Sequence, residues 1–312
     1  MILHTGLRTD IPAFYTEWFL NRISEGYVLV RNPYNLVQVT RYRITPDVVD
    51  VISFCTKNPA PMLSHMDMLK DYGQFWYVTI TPYGTDIEPK VPAKEKVMQD
   101  FITLSKTVGI NSIGWRYDPI FLSDTYTLEH HITAFEEMAR TLHGHTNICV
   151  ISFIDLYQKV LRNFPEVRAV KKEDRITLGT EFVRIGAKYG ITIKACAEGT
   201  ELAPYGVDCS GCMTVADFEK AIDCSLKVPK SKGARQECAC ILGCDIGAYN
   251  TCRHLCRYCY ANYDEETVMR NMKLHNPKSP LLLGELTADD MIHDAKQESY
   301  KDMQLKLKID YT

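Results

Sequence analysis

Six short apolar segments, separated by stretches with helical periodicity, constrain the fold of this chain more than any other feature. Each segment is almost continuously apolar, which is typical of strands that are buried on both faces of a sheet. Because alternating strands and helices are joined by right-handed crossovers, such strands form a parallel sheet. The sequence therefore predicts an α/β fold, either a (βα) barrel or a partial barrel of about six parallel strands. The predicted strands are residues 1–6, 48–56, 75–81, 112–117, 147–154 and 191–197.

The stretches between these segments predict helices with recognisable ends. Asp10 and Pro12 are typical of a helix start, and a glycine such as Gly109 or Gly190 is the usual stop after the last apolar position. Residues 26–47 interrupt the alternation and are expected to form an extended excursion before the second strand. The predicted helices are residues 11–25, 63–72, 93–108, 127–142 and 175–189.

The character of the sequence changes near residue 201. Strand signals fade there, glycine and cysteine become frequent, and two short helices are predicted at residues 215–222 and 265–274. The segment from Leu286 onward predicts a terminal helix. We therefore divide the chain into a barrel-like domain (1–200), a cysteine-rich iron–sulfur module (201–275) and a C-terminal helical tail (276–312).

The composition restricts the class of protein. The 312 residues are 46% hydrophobic and 24% charged, which excludes a disordered or collagen-like chain. The net charge of −3 gives no basic field over the molecule, so nucleic acid is not an expected partner. An apolar run of about 18 residues, which a membrane span needs, is absent from the sequence, and so are the features of a signal peptide. We therefore expect a cytoplasmic protein without a membrane partner.

Cysteine is unevenly distributed, because ten of the 12 cysteines lie between Cys196 and Cys259. In a reducing cytosol such a group indicates metal binding or redox chemistry. Cys252, Cys256 and Cys259 have C-x3-C-x2-C spacing, so one tight loop can present three thiolates to three irons of a [4Fe–4S] cluster. The fourth iron is then open to a small molecule, whereas a structural zinc ion prefers four closed ligands. His254 is interpreted as a solvated or hydrogen-bonding loop residue.

A second group of cysteines predicts a separate, closed site. Cys196 ends the sixth strand, Cys212 forms a C-x2-C pair with Cys209, and Cys238 and Cys240 form a tight C-x-C pair. Cys196, Cys212, Cys238 and Cys240 could hold a second iron–sulfur cluster or a zinc ion, or could be unligated buried thiols. The spacing leaves these alternatives open. The cysteines expected to be buried apolar residues are Cys55, Cys149 and Cys224.

Polar side chains follow the predicted strands at the end where a (βα) barrel has its active site. Taken singly they have structural alternatives, since Asp10 and Asp155 can cap helices and Arg116 can pair with Asp118. A ring of polar groups at one end of the barrel is nevertheless hard to explain as part of a hydrophobic core. Lys57, for example, suits a carboxylate or phosphate group. The ring consists of Arg8, Asp10, Lys57, Arg116, Asp118, Asp155 and Glu198.

The cysteine motif, with Tyr258 just before its third cysteine, resembles the cluster signature of radical S-adenosylmethionine (SAM) enzymes. In that superfamily the open iron binds the amino and carboxylate groups of SAM, whose reduction yields a 5′-deoxyadenosyl radical, and the fold is a partial or full (βα) barrel. The whole chain resembles an uncharacterised bacterial family, a domain of unknown function whose C-terminus holds this motif. The matching stretches are residues 8–12, 56–59, 79–83, 115–119, 152–155, 196–198, 237–240, 245–250 and 259–262.

The resemblance implies that SAM binds between the open iron and the polar ring. Because the cysteine loop follows the sixth strand here and the first strand in the superfamily, it must fold back over the mouth of the sheet. Such chemistry implies a small-molecule substrate and an electron donor such as a ferredoxin or flavodoxin. The candidate catalytic residues are Lys57, Arg116, Asp118 and Asp155, and the candidate cofactor contacts are Arg8, Asp10, Glu198 and Tyr258.

Two functions follow from these patterns. The leading hypothesis is an iron–sulfur enzyme of radical-SAM type, because the polar ring suits an enzyme and a carrier needs no pocket. The alternative is a non-catalytic iron–sulfur, zinc-binding or electron-transfer protein on a barrel scaffold. Basic side chains near the cysteines could contact phosphates, but a solvated basic loop is the favoured interpretation. These residues are Lys227, Lys230, Lys232, Arg235, Arg253 and Arg257.

Overall fold

The computed structural model describes residues 1–229, 240–241 and 243–302 of the chain. All six predicted strands are present in one sheet, and four further strands occur in the described ranges. In chain order the strands are β1 (Ile2–His4), β2 (Tyr27–Asn32), β3 (Asn35–Arg43), β4 (Val51–Thr56), β5 (Gln74–Thr79), β6 (Ile113–Ile120), β7 (Ile148–Phe153), β8 (Thr192–Ala195), β9 (Cys244–Asp245) and β10 (Met291–Asp294).

Seven strands form the main sheet in the order β8-β7-β6-β5-β4-β1-β9. All neighbouring strands in it are parallel. From β1 to β8 the strand order follows the chain, as in a singly wound (βα) sheet and unlike a doubly wound one, where the order reverses. No pairing among the described residues joins the edges β8 and β9. The mixed α/β prediction is therefore confirmed with an open sheet, and a closed barrel is not observed.

The seventh strand, β9, was not predicted. It pairs with Leu3 and His4 of β1, and two residues are too few to give a periodic signal. Gly243, just before it, allows the close approach, since a Cβ atom there would lie 2.1 Å from the carbonyl oxygen of Ile2.

The helices predicted over residues 93–108, 127–142, 175–189, 215–222 and 265–274 are confirmed to within about three residues at each end, and two predicted helices near the N-terminal half of the sheet differ. The helix expected over residues 11–25 is interrupted at Tyr15, whose buried hydroxyl donates to the carbonyl of Thr251 at 2.7 Å. The helix expected over residues 63–72 is replaced by a one-turn α-helix at Ala60–Leu63 and a 3₁₀ turn at Met66–Leu69. The helices are α1 (Ile11–Phe14), α2 (Thr16–Glu25), α3 (Ala60–Leu63), α4 (Lys94–Val108), α5 (Leu128–Leu142), α6 (Gln158–Asn163), α7 (Lys172–Tyr189), α8 (Val215–Ile222) and α9 (Glu265–Met272).

The two faces of the sheet have different coverings. Successive strand residues point to opposite faces, and on β5 Trp76 belongs to a large core built with α4, α5 and α7. Its neighbour Tyr77 belongs to a smaller core with Cys212 and Phe218. We call the second side the inner face. Part of the predicted cysteine-rich module thus packs directly on the sheet.

The C-terminal tail differs from the prediction. Within its described part, residues 276–302, it contains the strand β10 and no helix. This strand pairs in parallel with β3 of the β2–β3 hairpin, which forms the extended excursion expected before β4. The edge of the hairpin offers unpaired backbone groups, and pairing with them overrides the helical pattern of the tail.

None of the helices in the described ranges has both the length and the apolar character needed to cross a membrane.

His131, on α5, should give the core a pH-dependent stability. Its buried imidazole lies 2.9 Å from the Tyr117 hydroxyl at Nδ1 and 2.9 Å from the Phe121 carbonyl at Nε2. Burial lowers the pKa of His131 to about 4. Because the unfolded chain binds this proton near pH 6.5, the histidine should lower the free energy of unfolding by about 2 kcal/mol as the pH falls from 7.5 to 5. Urea unfolding at both pH values should show that the free energy of unfolding falls less in His131→Gln than in the wild type. An equal fall in the two proteins would contradict this role of His131.

Candidate functional site

The cysteine loop, residues 252–259, lies over the carboxyl ends of β1, β4 and β5. The backbone N–H of Arg257 donates to the carbonyl of Ile87 at 3.0 Å, and that of Lys90 donates to the carbonyl of His254 at 3.2 Å. Ile87 and Lys90 belong to the segment that follows β5. The loop therefore reaches the edge of the sheet where the predicted polar ring begins.

Asp10 holds the loop against β1 and β4. One oxygen accepts from the Ala13 N–H at 3.0 Å and caps α1, while the other accepts from the Lys57 N–H at 2.8 Å. The second oxygen also lies 2.9 Å from Nε2 of His254. His254 is only 2% exposed, so it is a buried hydrogen-bonding residue of the loop and not a solvated one.

Lys57, Glu88 and Tyr258 form a buried polar cluster beneath the loop. Lys57 Nζ lies 2.8 Å from Glu88 Oε1, which also accepts from the Thr81 hydroxyl at 2.7 Å and from the Tyr258 hydroxyl. Burial alone would raise the pKa of Glu88, but Lys57 and the hydrogen bonds hold it below its usual value. The sequence analysis did not identify Glu88 as a site residue, because the only signal for it was its position shortly after the third predicted strand.

Backbone N–H groups lie near the first and third thiols of the loop. Those of Ala261 and Asn262 are close enough to Cys259 to lower its pKa, and that of His254 acts in the same way on Cys252. Burial raises the pKa of both thiols, and these donors act in the opposite direction. Such N–H···S bonds are the kind that stabilise and tune thiolate ligands of iron–sulfur clusters.

The middle thiol, Cys256, is buried beside a cation. Burial raises its pKa, while the Lys57 ammonium and the Tyr258 hydroxyl lower it. Leu255, just before it, has a φ of 57° and makes the tight turn that presents the thiol. The donor set of the loop, three thiols with an ammonium group nearby, is of the chemical type that holds an iron–sulfur cluster, although the thiols as they stand in the described ranges do not form a metal-binding group.

Three cysteines of the second group meet on the inner face. Cys212 Sγ lies 3.3 Å from Cys196 Sγ and 3.0 Å from Cys240 Sγ. Because Cys212 donates to Cys196, the pKa of Cys196 is well below its usual value and that of Cys212 is well above it. Nη1 of Arg116 lies 3.6 Å from Cys212 Sγ, and the Tyr77 hydroxyl donates to the Cys212 carbonyl.

Cys238, the fourth predicted member of this group, lies outside the described residues. Cys209 directs its thiol to the carbonyl of Val207 at 3.6 Å, so the C-x2-C pair with Cys212 does not act as a unit. As their side chains stand, no group of three or more His, Cys, Asp or Glu residues in the described ranges could hold a metal ion.

Arg116 and Asp118 lie between the two groups of cysteines. They form a bidentate ion pair, and Asp118 also accepts from the Ser152 hydroxyl at 3.4 Å. Arg116 lies within electrostatic range of Cys55 and of Tyr260, the residue after Cys259. The two groups of cysteines and this ion pair therefore border one region at the carboxyl end of the sheet, which we call the carboxyl-end region.

A family profile described as "Domain of unknown function (DUF1848)" matches residues 2–261. The chain belongs to the DUF1848 family. The match covers nearly the whole chain and confirms the uncharacterised family expected from the sequence, and it assigns no activity. No curated protein matches the chain.

Arg8 and Asp155 of this DUF1848 protein lie at the rim of the site. Arg8 Nε donates to the carboxylate of Asp245 and Nη2 donates to its carbonyl at 2.6 Å. The guanidinium also lies 5.8 Å from the centroid of the Tyr249 ring. Asp155 is exposed and accepts from the Tyr157 hydroxyl at 3.2 Å.

Glu198 of the DUF1848 protein lies at the other edge of the sheet. It accepts from the Phe153 N–H at 2.8 Å and lines a surface depression with Arg175 and Tyr205. Burial raises the pKa of Glu198 to about 7. Glu198 is close to Cys196, as the sequence suggested. The charged group beside Cys256 is instead Lys57.

Proposed function

We propose that this DUF1848 protein is an iron–sulfur enzyme of radical-SAM type, with a [4Fe–4S] cluster on Cys252, Cys256 and Cys259. The observation that carries the proposal is the position of these three thiols, with the middle one buried beside the Lys57 ammonium, over the polar carboxyl end of a singly wound sheet. Three thiolates leave one iron of a cubane cluster without a protein ligand. We also take the open sheet to be a partial (βα) barrel.

The cluster would supply an electron and an open coordination position for SAM, with a ferredoxin or flavodoxin as the electron donor. Lys57, beside Cys256, would offset the negative charge of the thiolates, and Glu88 would fix its ammonium group. Asp10 would hold the loop in place through His254. These residues therefore position the loop and set its electrostatic environment.

The carboxyl-end region would hold the reacting groups. Arg116 and Asp118 form its polar wall, where the guanidinium suits a carboxylate or phosphate group of a small-molecule substrate or of SAM. Burial of His254, Cys256 and Tyr258 would keep water away from reactive species near them. Asp155 and Arg8, at the rim, would meet the outer part of a bound molecule, and Glu198 would contact an amine near Cys196.

A non-catalytic electron carrier is the second candidate. The observation that favours it is that both cations near the cysteines are already paired. Lys57 is bound to Glu88, and Arg116 is bound to Asp118. Both ion pairs would need to rearrange to bind a substrate carboxylate, and a carrier has no such requirement.

Addition of SAM to the reduced protein separates these two functions. In the anaerobic, dithionite-reduced protein, SAM should change the g-values of the cluster's electron paramagnetic resonance signal, because its amino and carboxylate groups would bind the open iron. Adenosine, which lacks both groups, should leave the signal unchanged. If the protein holds its full cluster and SAM at millimolar concentration does not alter the signal, the enzyme proposal fails and the carrier remains.

A further inference from the structure

We propose that Cys196, Cys212 and Cys240 bind a single tetrahedral metal ion of the zinc class, and not a second iron–sulfur cluster. The family assignment gives no such site. The proposal does not depend on the cluster of residues 252–259, because it uses different cysteines. Either site can therefore be absent while the other is present.

The spacing of the sulfurs distinguishes one ion from a cluster. The two Sγ–Sγ distances from Cys212 are 3.3 Å to Cys196 and 3.0 Å to Cys240. Thiolates that bind one zinc ion at about 2.3 Å stand about 3.8 Å apart at the corners of a tetrahedron. In a cubane cluster each thiolate binds a different iron, so the thiolates stand further apart still. The sulfurs are too close to hold an ion as they stand, and an outward movement of less than about 1 Å would give single-ion spacing.

The surroundings of the three sulfurs suit a bound cation once the thiols have lost their protons. Cys196, Cys212 and Cys240 are 7%, 1% and 5% exposed, on a face that is otherwise largely apolar. Three thiolates in mutual contact would be unstable there without a compensating charge. A divalent ion leaves one negative charge, and the guanidinium of Arg116, 3.6 Å from Cys212 Sγ, can offset it as an outer partner of the site.

Such an ion would fasten the cysteine-rich segment to the sheet. Cys196 follows β8, Cys212 precedes α8, and Cys240 lies shortly before β9. The segment between Cys212 and Leu226 contributes few large apolar residues to the inner face, notably Met213 and Phe218. Metal binding by residues from three separate segments adds stability that so small a core lacks.

The test is the metal content of the anaerobically purified full-length protein and of two serine variants. We expect one zinc per chain in the wild type, and at least a tenfold lower zinc content with unchanged iron in Cys212→Ser. Cys209→Ser is the matched control, because Cys209 lies three residues away with its thiol on Val207. It should retain the zinc. A wild type without zinc, or a Cys212→Ser variant that loses iron and keeps its zinc, would overturn the proposal.

Cobalt substitution provides a test that does not require a variant to fold. Wild-type protein loaded with Co²⁺ in place of zinc should show thiolate-to-cobalt charge-transfer absorption and the visible bands of a tetrahedral site. Absence of both, or mass-spectrometric detection of a Cys212–Cys240 disulfide in metal-free protein as purified, would count against a metal site.

Discussion

Replacement of Glu88 by alanine should lower the free energy of unfolding by about 3–5 kcal/mol, the usual cost of leaving one partner of a buried ion pair without the other. Glu88 and Lys57 are 5% and 13% exposed in their side chains. Without Glu88, the Lys57 ammonium loses its counter-ion, and the hydroxyls of Thr81 and Tyr258 lose their acceptor. The cysteine loop should loosen as well, because Tyr258 belongs to it.

Chemical denaturation of the wild type and three variants would measure this effect. Glu136→Ala is the control, because Glu136 pairs with Lys188 at the same 2.7–2.8 Å spacing on the surface, where an ion pair contributes little. Its unfolding free energy should be nearly unchanged. Glu88→Gln, which keeps an acceptor and loses the charge, should be intermediate. Equal stabilities of Glu88→Ala and Glu136→Ala would show that the buried pair does not support the loop.

Six of the seven strands of the main sheet could be predicted, because burial on both faces makes their sequences continuously apolar. Trp76 and Tyr77 illustrate this, since adjacent residues of β5 point into two different cores. The same logic fails for β9 and β10, which are short and pair through backbone groups at sheet edges. Pairing through backbone groups at a sheet edge does not require a particular side-chain pattern, so the sequence does not predict it.

The candidate site was predictable only in part. Cysteine spacing identified the loop, because ligands that share one cluster lie close together in sequence. The residues that hold the loop are distant in sequence, and Glu88 pairs with Lys57 from 31 positions away. Likewise Cys209 and Cys212 suggested a pair, but the fold brings Cys212 to Cys196 and Cys240 instead. Long-range contacts of this kind have no local sequence signal.

Iron and sulfide analysis of the anaerobically purified protein tests the central claim, that Cys252, Cys256 and Cys259 bind a [4Fe–4S] cluster. We expect a brown protein with about four irons and four sulfides per chain. A triple cysteine-to-alanine variant at these positions should lose both completely. Cys224→Ala is the matched control, since the Cys224 thiol donates to the Ser225 carbonyl at 3.6 Å, and it should retain them. A colourless wild type that carries stoichiometric zinc at Cys252, Cys256 and Cys259 would contradict the claim.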